Sequence, residues 1–173
     1  MKHRFLIPVQ ISFPTLILIV SIILSSLFMR AVLDLVKIIA GRNHIAIAML
    51  TLFALVALVL IFVELRTVKR TIQFLLVFIS GVIFFQLILP YPEERFHFLE
   101  AGAVGWMVMR DNGSGKWQHI LLATFIGFFV GALDETFQFF IPWRVADIRD
   151  ILMAAGGAFW GALAHYVTYF RTT

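Results

Sequence analysis

The chain consists of long apolar runs separated by short polar stretches. A run of about 20 apolar residues forms a helix long enough to cross the hydrocarbon core of a bilayer. Such runs cover residues 6–28, 44–63, 71–89, 117–141 and 148–170. Pro90 and Pro92 follow the third run and Pro142 follows the fourth, as expected of a residue that cannot continue a helix. The pattern therefore predicts five membrane-spanning helices.

Residues 30–43, between the first two runs, have a mixed pattern. Arg30, Asp34 and Lys37 recur at spacings of four and three, so they form one polar stripe on an otherwise apolar helix. This arrangement is typical of a helix that lies in the membrane interface rather than one that crosses it.

The assignment of residues 96–109 is open. Fourteen residues are few for a crossing, and His97 and Glu100 lie among them. A short tilted span, a re-entrant helix and an interfacial helix all fit. The predicted fold class is thus an all-α polytopic bundle of five to six spans with one short or re-entrant helix. We divide it into an N-terminal transmembrane region, residues 1–92, with three spans and the interfacial helix, and a second region, residues 93–173.

Composition agrees with the pattern and excludes other classes of protein. Of the 173 residues, 61% are hydrophobic and only 14% are charged, and the mean hydropathy is +0.96. A soluble domain of this length cannot bury so much apolar surface. The net charge of +4 is spread over many short loops, so it does not indicate nucleic-acid binding. The absence of cysteine excludes disulfides, thiolate metal sites and cysteine nucleophiles.

Charge distribution suggests an orientation and raises a question. If the N-terminus is cytoplasmic and residues 96–109 cross, eight of the fourteen Lys and Arg residues lie inside, which is a weak positive-inside bias. Eight of the ten acidic residues then lie outside. Acidic residues contribute little to orientation, so their concentration on one side needs another explanation.

Three segments carry polar side chains to this outer side. On a helix, His97 and Glu100 share a face, and Asp134 and Gln138 are neighbours one turn apart. Placing acidic groups within the membrane costs free energy, so a cluster of them suggests a functional site. The candidate cluster comprises Glu94, His97, Glu100, Asp134, Glu135, Gln138, Arg144, Asp147 and Asp150.

Each of the three helices carries a stripe of small residues in line with its polar end, which we call its polar tip. Stripes of small residues let helix backbones approach closely, so the tips are expected where three helices pack. These stripes are Gly102 and Gly105, Gly127 and Gly131, and Ala154, Gly157 and Gly161.

Simpler roles exist for individual members of the cluster. Asp147 suits an N-terminal cap of the last helix. His97 suits a packing histidine with a hydrogen bond, and Arg144 suits a lipid headgroup or ion-pair partner. The glycine stripes suit packing alone. We nevertheless favour a shared site, because three separate segments supply its residues.

Several kinds of chemistry suit such a cluster. Paired carboxylates and an imidazole act as general acid and base, and the same groups bind a divalent cation. They also suit a cationic or amide-bearing amphiphile without any reaction. No serine-nucleophile pattern, His-x-x-x-His zinc pattern or glycine-rich phosphate loop occurs in the sequence. Cofactor and enzymatic activity therefore remain open, with a divalent metal as one option.

The ordered motifs resemble a known family. Glu94-x-x-His97-Phe98-x-Glu100 comes first, then Asp134-Glu135-x-x-Gln138-Phe139-x-x-Pro142-x-Arg144, and last Asp147-x-x-Asp150-Ile151 with Gly157 and Gly161. This series, within residues 93–165, resembles the VanZ-like family of bacterial membrane proteins. The family pattern commonly has Asn where this chain has Ala154. The resemblance implies a bacterial cytoplasmic-membrane location, and the founding member is associated with low-level teicoplanin resistance.

These observations lead to a ranked set of functions. The leading expectation is a VanZ-like cell-envelope protein whose outer cluster engages a membrane lipid, a cell-wall precursor or a lipophilic glycopeptide. The first alternative is a membrane-embedded hydrolase or transferase that uses carboxylate and histidine acid–base or metal chemistry. A small transporter or flippase ranks last, because the spans before residue 90 carry almost no ionisable groups. The sequence does not specify an oligomeric state.

Overall fold

The structure is a computed structural model, and its described part is built from helices. It describes residues 9–41, 67–88, 92–113, 116–141 and 147–169, together with ten residues between 44 and 59. The helices are α1 (Phe13–Ala40), α2 (Val68–Leu87), α3 (Pro92–Asn112), α4 (Trp117–Phe139) and α5 (Ile148–Tyr169). The described residues between 44 and 59 are also helical, and the described ranges contain no strand. The all-α prediction is therefore confirmed for this part of the chain.

Helix α1 is longer than the hydropathy pattern predicts. It runs without a break over 28 residues, so the stretch predicted as a separate interfacial helix is, as far as Ala40, the second part of α1. Gly41 follows with φ of +80°, a left-handed conformation that glycine adopts without a steric penalty and that commonly ends a helix.

Helix α3 corrects the expectation of a short helix. It has 21 residues, about 31 Å at 1.5 Å per residue, and is therefore longer than the predicted segment of fourteen residues. Its ends lie at opposite ends of the bundle: Asp111 contacts Ser12 at the start of α1, whereas His97 lies beside the start of α5.

Helix α5 packs between α2, α3 and α4. Helices α3 and α5 run parallel, because Gly102 lies against Gly161 and, one turn on, Trp106 contacts His165. Helix α2 is antiparallel to α5, and the Trp160 indole donates a 2.8 Å hydrogen bond to the carbonyl of Val77. Helix α4 is also antiparallel to α5, as its contacts below show.

The apolar surface is the feature that links this fold to a membrane. Helices α4 and α5 are each long and apolar enough to cross a bilayer by length and composition. Many large apolar side chains on α1, α2 and α4 point outward and are at least partly exposed; examples are Phe13, Leu24, Leu76, Phe125 and Phe137. Lipid would cover such a surface, so the two apolar helices and the outward apolar side chains fit a membrane protein.

Candidate functional site

Small residues bring the starts of α3 and α5 into contact. A Cβ added to Gly157 would overlap the carbonyl of Phe98, and one added to Gly161 would overlap the carbonyl of Gly102. Backbones approach this closely only where no side chain intervenes. The predicted small-residue faces are thus confirmed as the contact between these two helices.

The same principle joins α4 to the adjacent face of α5. A Cβ on Gly131 would lie 2.6 Å from the Cβ of Ala154, and Gly127 meets Ala158 in the same way. The pairing is antiparallel, so the end of α4 lies beside the start of α5. Three polar tips therefore converge at one end of the bundle.

His97 lies at the centre of this convergence. Its Nδ1 atom is 3.7 Å from Oδ2 of Asp134 on α4, and its Nε2 atom is 3.6 Å from Oδ2 of Asp150 on α5. These separations are ion-pair distances, slightly longer than hydrogen bonds. The imidazole ring thus lies between two carboxylates, which the sequence predicted only as members of one cluster.

Asp134 is held by a neighbour on its own helix. The amide of Gln138 donates a 2.9 Å hydrogen bond to Oδ2 of Asp134, as their spacing of one turn predicts. Both residues are 2% exposed. The other carboxylate oxygen, Oδ1, is buried and accepts no hydrogen bond from the residues that the structure describes.

Glu135 and Asp147 accept hydrogen bonds from backbone N–H groups at the start of α5. Oε2 of Glu135 accepts a 2.7 Å hydrogen bond from the backbone N–H of Asp147, and Oδ1 of Asp147 accepts a 2.9 Å bond from that of Arg149. Carboxylates stabilise a helix N-terminus through these N–H groups and the helix dipole. The capping role considered for Asp147 is thus what the structure shows. Glu135 shares this role and also faces the cluster.

Glu100 lines a small cavity one turn below His97. The cavity also touches Asp134 of α4 and Ile22 of α1, and its volume of about 10 Å³ is the space that a single water molecule or ion needs. The contribution of Ile22 was not predicted, because nothing in an apolar span indicates which residue faces a distant polar group.

Two predicted members of the cluster cannot be placed, and one buried charged residue at the same end was not predicted. Arg144 and the side chain of Glu94 lie outside the described residues. Arg95, at the start of α3, is 7% exposed and was not among the candidates. Its context, directly after Glu93 and Glu94, indicated a solvated loop, so the sequence carried no signal of its burial.

One subset of the cluster has the spacing of a metal site. A ligand atom from each of His97, Glu135 and Asp150 lies within 4.8 Å of the other two. The same groups suit proton transfer, because an imidazole beside carboxylates both accepts and donates a proton.

Comparisons with known proteins give no match: no family model matches the chain, and no significant match occurs among curated proteins or solved structures.

Proposed function

We propose that this chain is a multi-pass protein of the bacterial cytoplasmic membrane, with six crossings and a cytoplasmic N-terminus. Three features support the proposal: the apolar runs of the sequence, the 21-residue length of α3, and the alternation of helix ends between the two ends of the bundle. In this topology the start of α3, the end of α4 and the start of α5 are extracytoplasmic. The polar cluster then faces the cell envelope.

We further propose that the cluster binds the polar group of an envelope amphiphile. A membrane lipid, a cell-wall precursor and a lipophilic glycopeptide belong to this class, and the VanZ-like motif order favours it. The observation that carries the proposal is the position of His97 between Asp134 and Asp150 at one end of an apolar bundle. Buried carboxylates of this kind suit an ammonium, amide or hydroxyl group.

The site fits the polar end of such a molecule rather than the whole of it. The cavity beside His97 and Glu100 is small, so it accommodates one polar group. The apolar part of the ligand would lie along the outward apolar side chains of α4, which include Phe125 and Phe137. An amphiphile in a bilayer is arranged in the same way, with its polar group at the membrane surface and its apolar part among the lipid chains.

Teicoplanin is a suitable first probe, because it is the lipophilic glycopeptide that the motif resemblance indicates. The full chain in lipid nanodiscs should bind it, and Asp134→Asn should weaken the binding at least about tenfold through loss of a buried charged contact. Asp34→Asn is the matched control, because Asp34 is exposed on α1 and lies twelve residues after Ile22, about 18 Å along the helix. Equal binding by wild type and Asp134→Asn would contradict the proposal, as would an absence of binding of both teicoplanin and a lipid-linked peptidoglycan precursor.

A membrane-embedded hydrolase or transferase is the second candidate. The specific observation that favours it is that both ring nitrogens of His97 face carboxylates. Carboxylates beside both ring nitrogens fix the orientation of an imidazole that moves a proton. Incubation of the nanodisc-embedded protein with teicoplanin or a lipid-linked peptidoglycan precursor, followed by mass spectrometry, tests this candidate. Product formation that His97→Gln abolishes would support it, and an unchanged substrate would count against it.

A further inference from the structure

We propose that His97, Glu135 and Asp150 form a binding site for one divalent transition-metal cation of the Zn²⁺ type. The inference deepens the proposed function and rests on it for the location of the site on the envelope side. It assigns a specific ligand set to part of the cluster.

The separations of the donor atoms fit a common ion. One ligand atom of each residue lies within 4.8 Å of the others, and Nε2 of His97 lies 3.6 Å from Oδ2 of Asp150. Bonds of about 2.0–2.2 Å to one ion place its donors roughly 3.3–4.3 Å apart, depending on coordination geometry. Relative shifts of up to about 1.5 Å between donor atoms therefore bring all three into the first coordination shell.

The residues next to His97 are arranged like those that orient a metal-binding histidine. Nε2 faces Asp150 and the proposed ion, while Nδ1 faces Oδ2 of Asp134 at 3.7 Å. Gln138 in turn holds that carboxylate with a 2.9 Å hydrogen bond. A metal-binding histidine commonly donates its other ring N–H to a carboxylate, which fixes the ring and raises its basicity.

The burial of Asp134 is an independent observation that points to a cation. Its side chain is 3% exposed, and its Oδ1 accepts no hydrogen bond within the described ranges. Burying a carboxylate without full compensation is expensive. Three more carboxyl groups, those of Glu100, Glu135 and Asp150, lie nearby. A divalent cation beside His97 would place positive charge next to these carboxyl groups.

The donor set favours one group of metals. An imidazole nitrogen with carboxylate oxygens, in a chain without cysteine, suits Zn²⁺ and neighbouring transition metals, whereas Mg²⁺ and Ca²⁺ prefer oxygen ligands alone. Three protein ligands leave a coordination position open, as in catalytic zinc sites. The polar group of the envelope ligand would reach the ion at that position.

Metal titration of the full chain tests the inference. Protein purified without a histidine tag is treated with a chelator, embedded in nanodiscs and titrated with Zn²⁺ and, separately, Mg²⁺. We expect about one Zn²⁺ per chain by elemental analysis. His97→Gln and Asp150→Asn should each weaken Zn²⁺ binding at least about tenfold, and Asp134→Asn about ten- to a hundredfold. Asp34→Asn should bind as wild type does, and Mg²⁺ should bind much more weakly.

Co²⁺ substitution provides a readout that does not depend on affinity. The visible spectrum of the Co²⁺-loaded protein should change when His97→Gln removes a nitrogen ligand, even if the variant still binds metal. Circular dichroism of each variant verifies that the helices form. Zn²⁺ binding that His97→Gln and Asp150→Asn leave unchanged would overturn the inference, as would an absence of Zn²⁺ binding by folded wild-type protein.

Teicoplanin binding, measured with chelated and with Zn²⁺-loaded protein, separates this inference from the proposed function. Binding that requires Zn²⁺ supports both. Binding by chelated protein that takes up no Zn²⁺ overturns the metal site and leaves the proposed function intact. Zn²⁺ binding without teicoplanin binding has the opposite meaning, because it supports the metal site and contradicts the function.

Discussion

At the scale of single residues, Asp134 is a buried carboxylate whose position is poor for stability and suitable for binding. One of its oxygens is satisfied by Gln138, and the other accepts no hydrogen bond from the described residues. Burying a carboxylate that lacks a full set of hydrogen bonds costs free energy, and a neutral amide of the same shape at this position avoids the part of that cost that comes from the charge. Residues kept at such positions commonly serve function at the expense of stability.

Asp134→Asn should therefore separate stability from binding. The metal-free variant should unfold no more easily than wild type, within about 0.5 kcal/mol, because the amide oxygen still accepts the bond from Gln138. Intrinsic tryptophan fluorescence during heating in detergent measures this, with Asp34→Asn as the control. A loss of more than about 2 kcal/mol would assign Asp134 a structural role instead.

Asp111, at the other end of the bundle, has a structural role. Its Oδ2 accepts bonds of 2.8 Å from the Ser12 N–H and 2.6 Å from the Thr15 hydroxyl, so α3 supplies the cap of α1. It lies in the polar turn beyond the apolar part of α3. Desolvation raises the pKa of the Asp111 carboxyl, but hydrogen bonds from Thr15, Ser12 and Arg110 outweigh this effect and lower the pKa to about 2.

Asp111→Ala should destabilise the protein by about 1–3 kcal/mol, because the start of α1 loses its cap and a charged hydrogen-bond acceptor. The lowered pKa means that the stabilisation is complete above about pH 4 and is lost as the pH falls toward 2. Denaturant unfolding at pH 7 and at pH 3 measures both effects. Equal stability of Asp111→Ala and wild type at pH 7 would show that this cap is dispensable.

Sequence spacing predicts part of the candidate site and misses the rest for a physical reason. Helical periodicity alone places His97 beside Glu100, and Asp134 beside Gln138. The contact between Glu135 and the N–H of Asp147 spans a loop, so no local rule predicts it. The burial of Arg95 likewise depends on how whole helices pack.

At the scale of elements, close backbone contact between α3 and α5 determines where the polar residues meet. Gly157 and Gly156 are adjacent on α5 but differ in environment. A Cβ on Gly157 would overlap the backbone of Phe98, whereas a Cβ on Gly156 would have no atom within 4 Å. The pair therefore provides an internal comparison.

Gly157→Ala should destabilise the protein by about 1–3 kcal/mol, because α3 and α5 must move apart. Gly156→Ala should have no cost or stabilise the protein by up to about 1 kcal/mol, since alanine favours the helix. Thermal unfolding of both variants in the same detergent measures the difference. The packing account predicts clearly unequal effects, so similar values for the two variants would contradict it.

Hydropathy predicts most helix boundaries but not all of them. The predicted spans over 71–89, 117–141 and 148–170 correspond within a few residues to α2, α4 and α5. The full length of α3 was missed, because its first turn, from Pro92 to Arg95, and its last turn are polar and resemble loops. Arg95 of the first turn is buried and Asp111 of the last turn bonds to Ser12, and a hydropathy average does not include such tertiary contacts.

At the scale of the whole molecule, contacts between helices give the relative directions of α1, α3, α4 and α5. The described contacts place the start of α1 beside the end of α3, and the start of α3 beside the start of α5. The exposed ends Lys116 and Ile148, which flank α4, therefore lie at opposite ends of the bundle. Their positions relative to the membrane are the main prediction of the proposed topology.

Single-cysteine labelling tests this prediction, because the chain has no native cysteine. A membrane-impermeant maleimide should label Ile148→Cys in intact cells, since Ile148 is 72% exposed at the proposed envelope side. It should label Lys116→Cys and Lys69→Cys only after the membrane is opened. Labelling of Lys116→Cys from outside, or of Ile148→Cys only after opening, would reverse the orientation and move the His97 cluster to the cytoplasmic side. Labelling of both positions from one side would contradict the crossing by α4 itself.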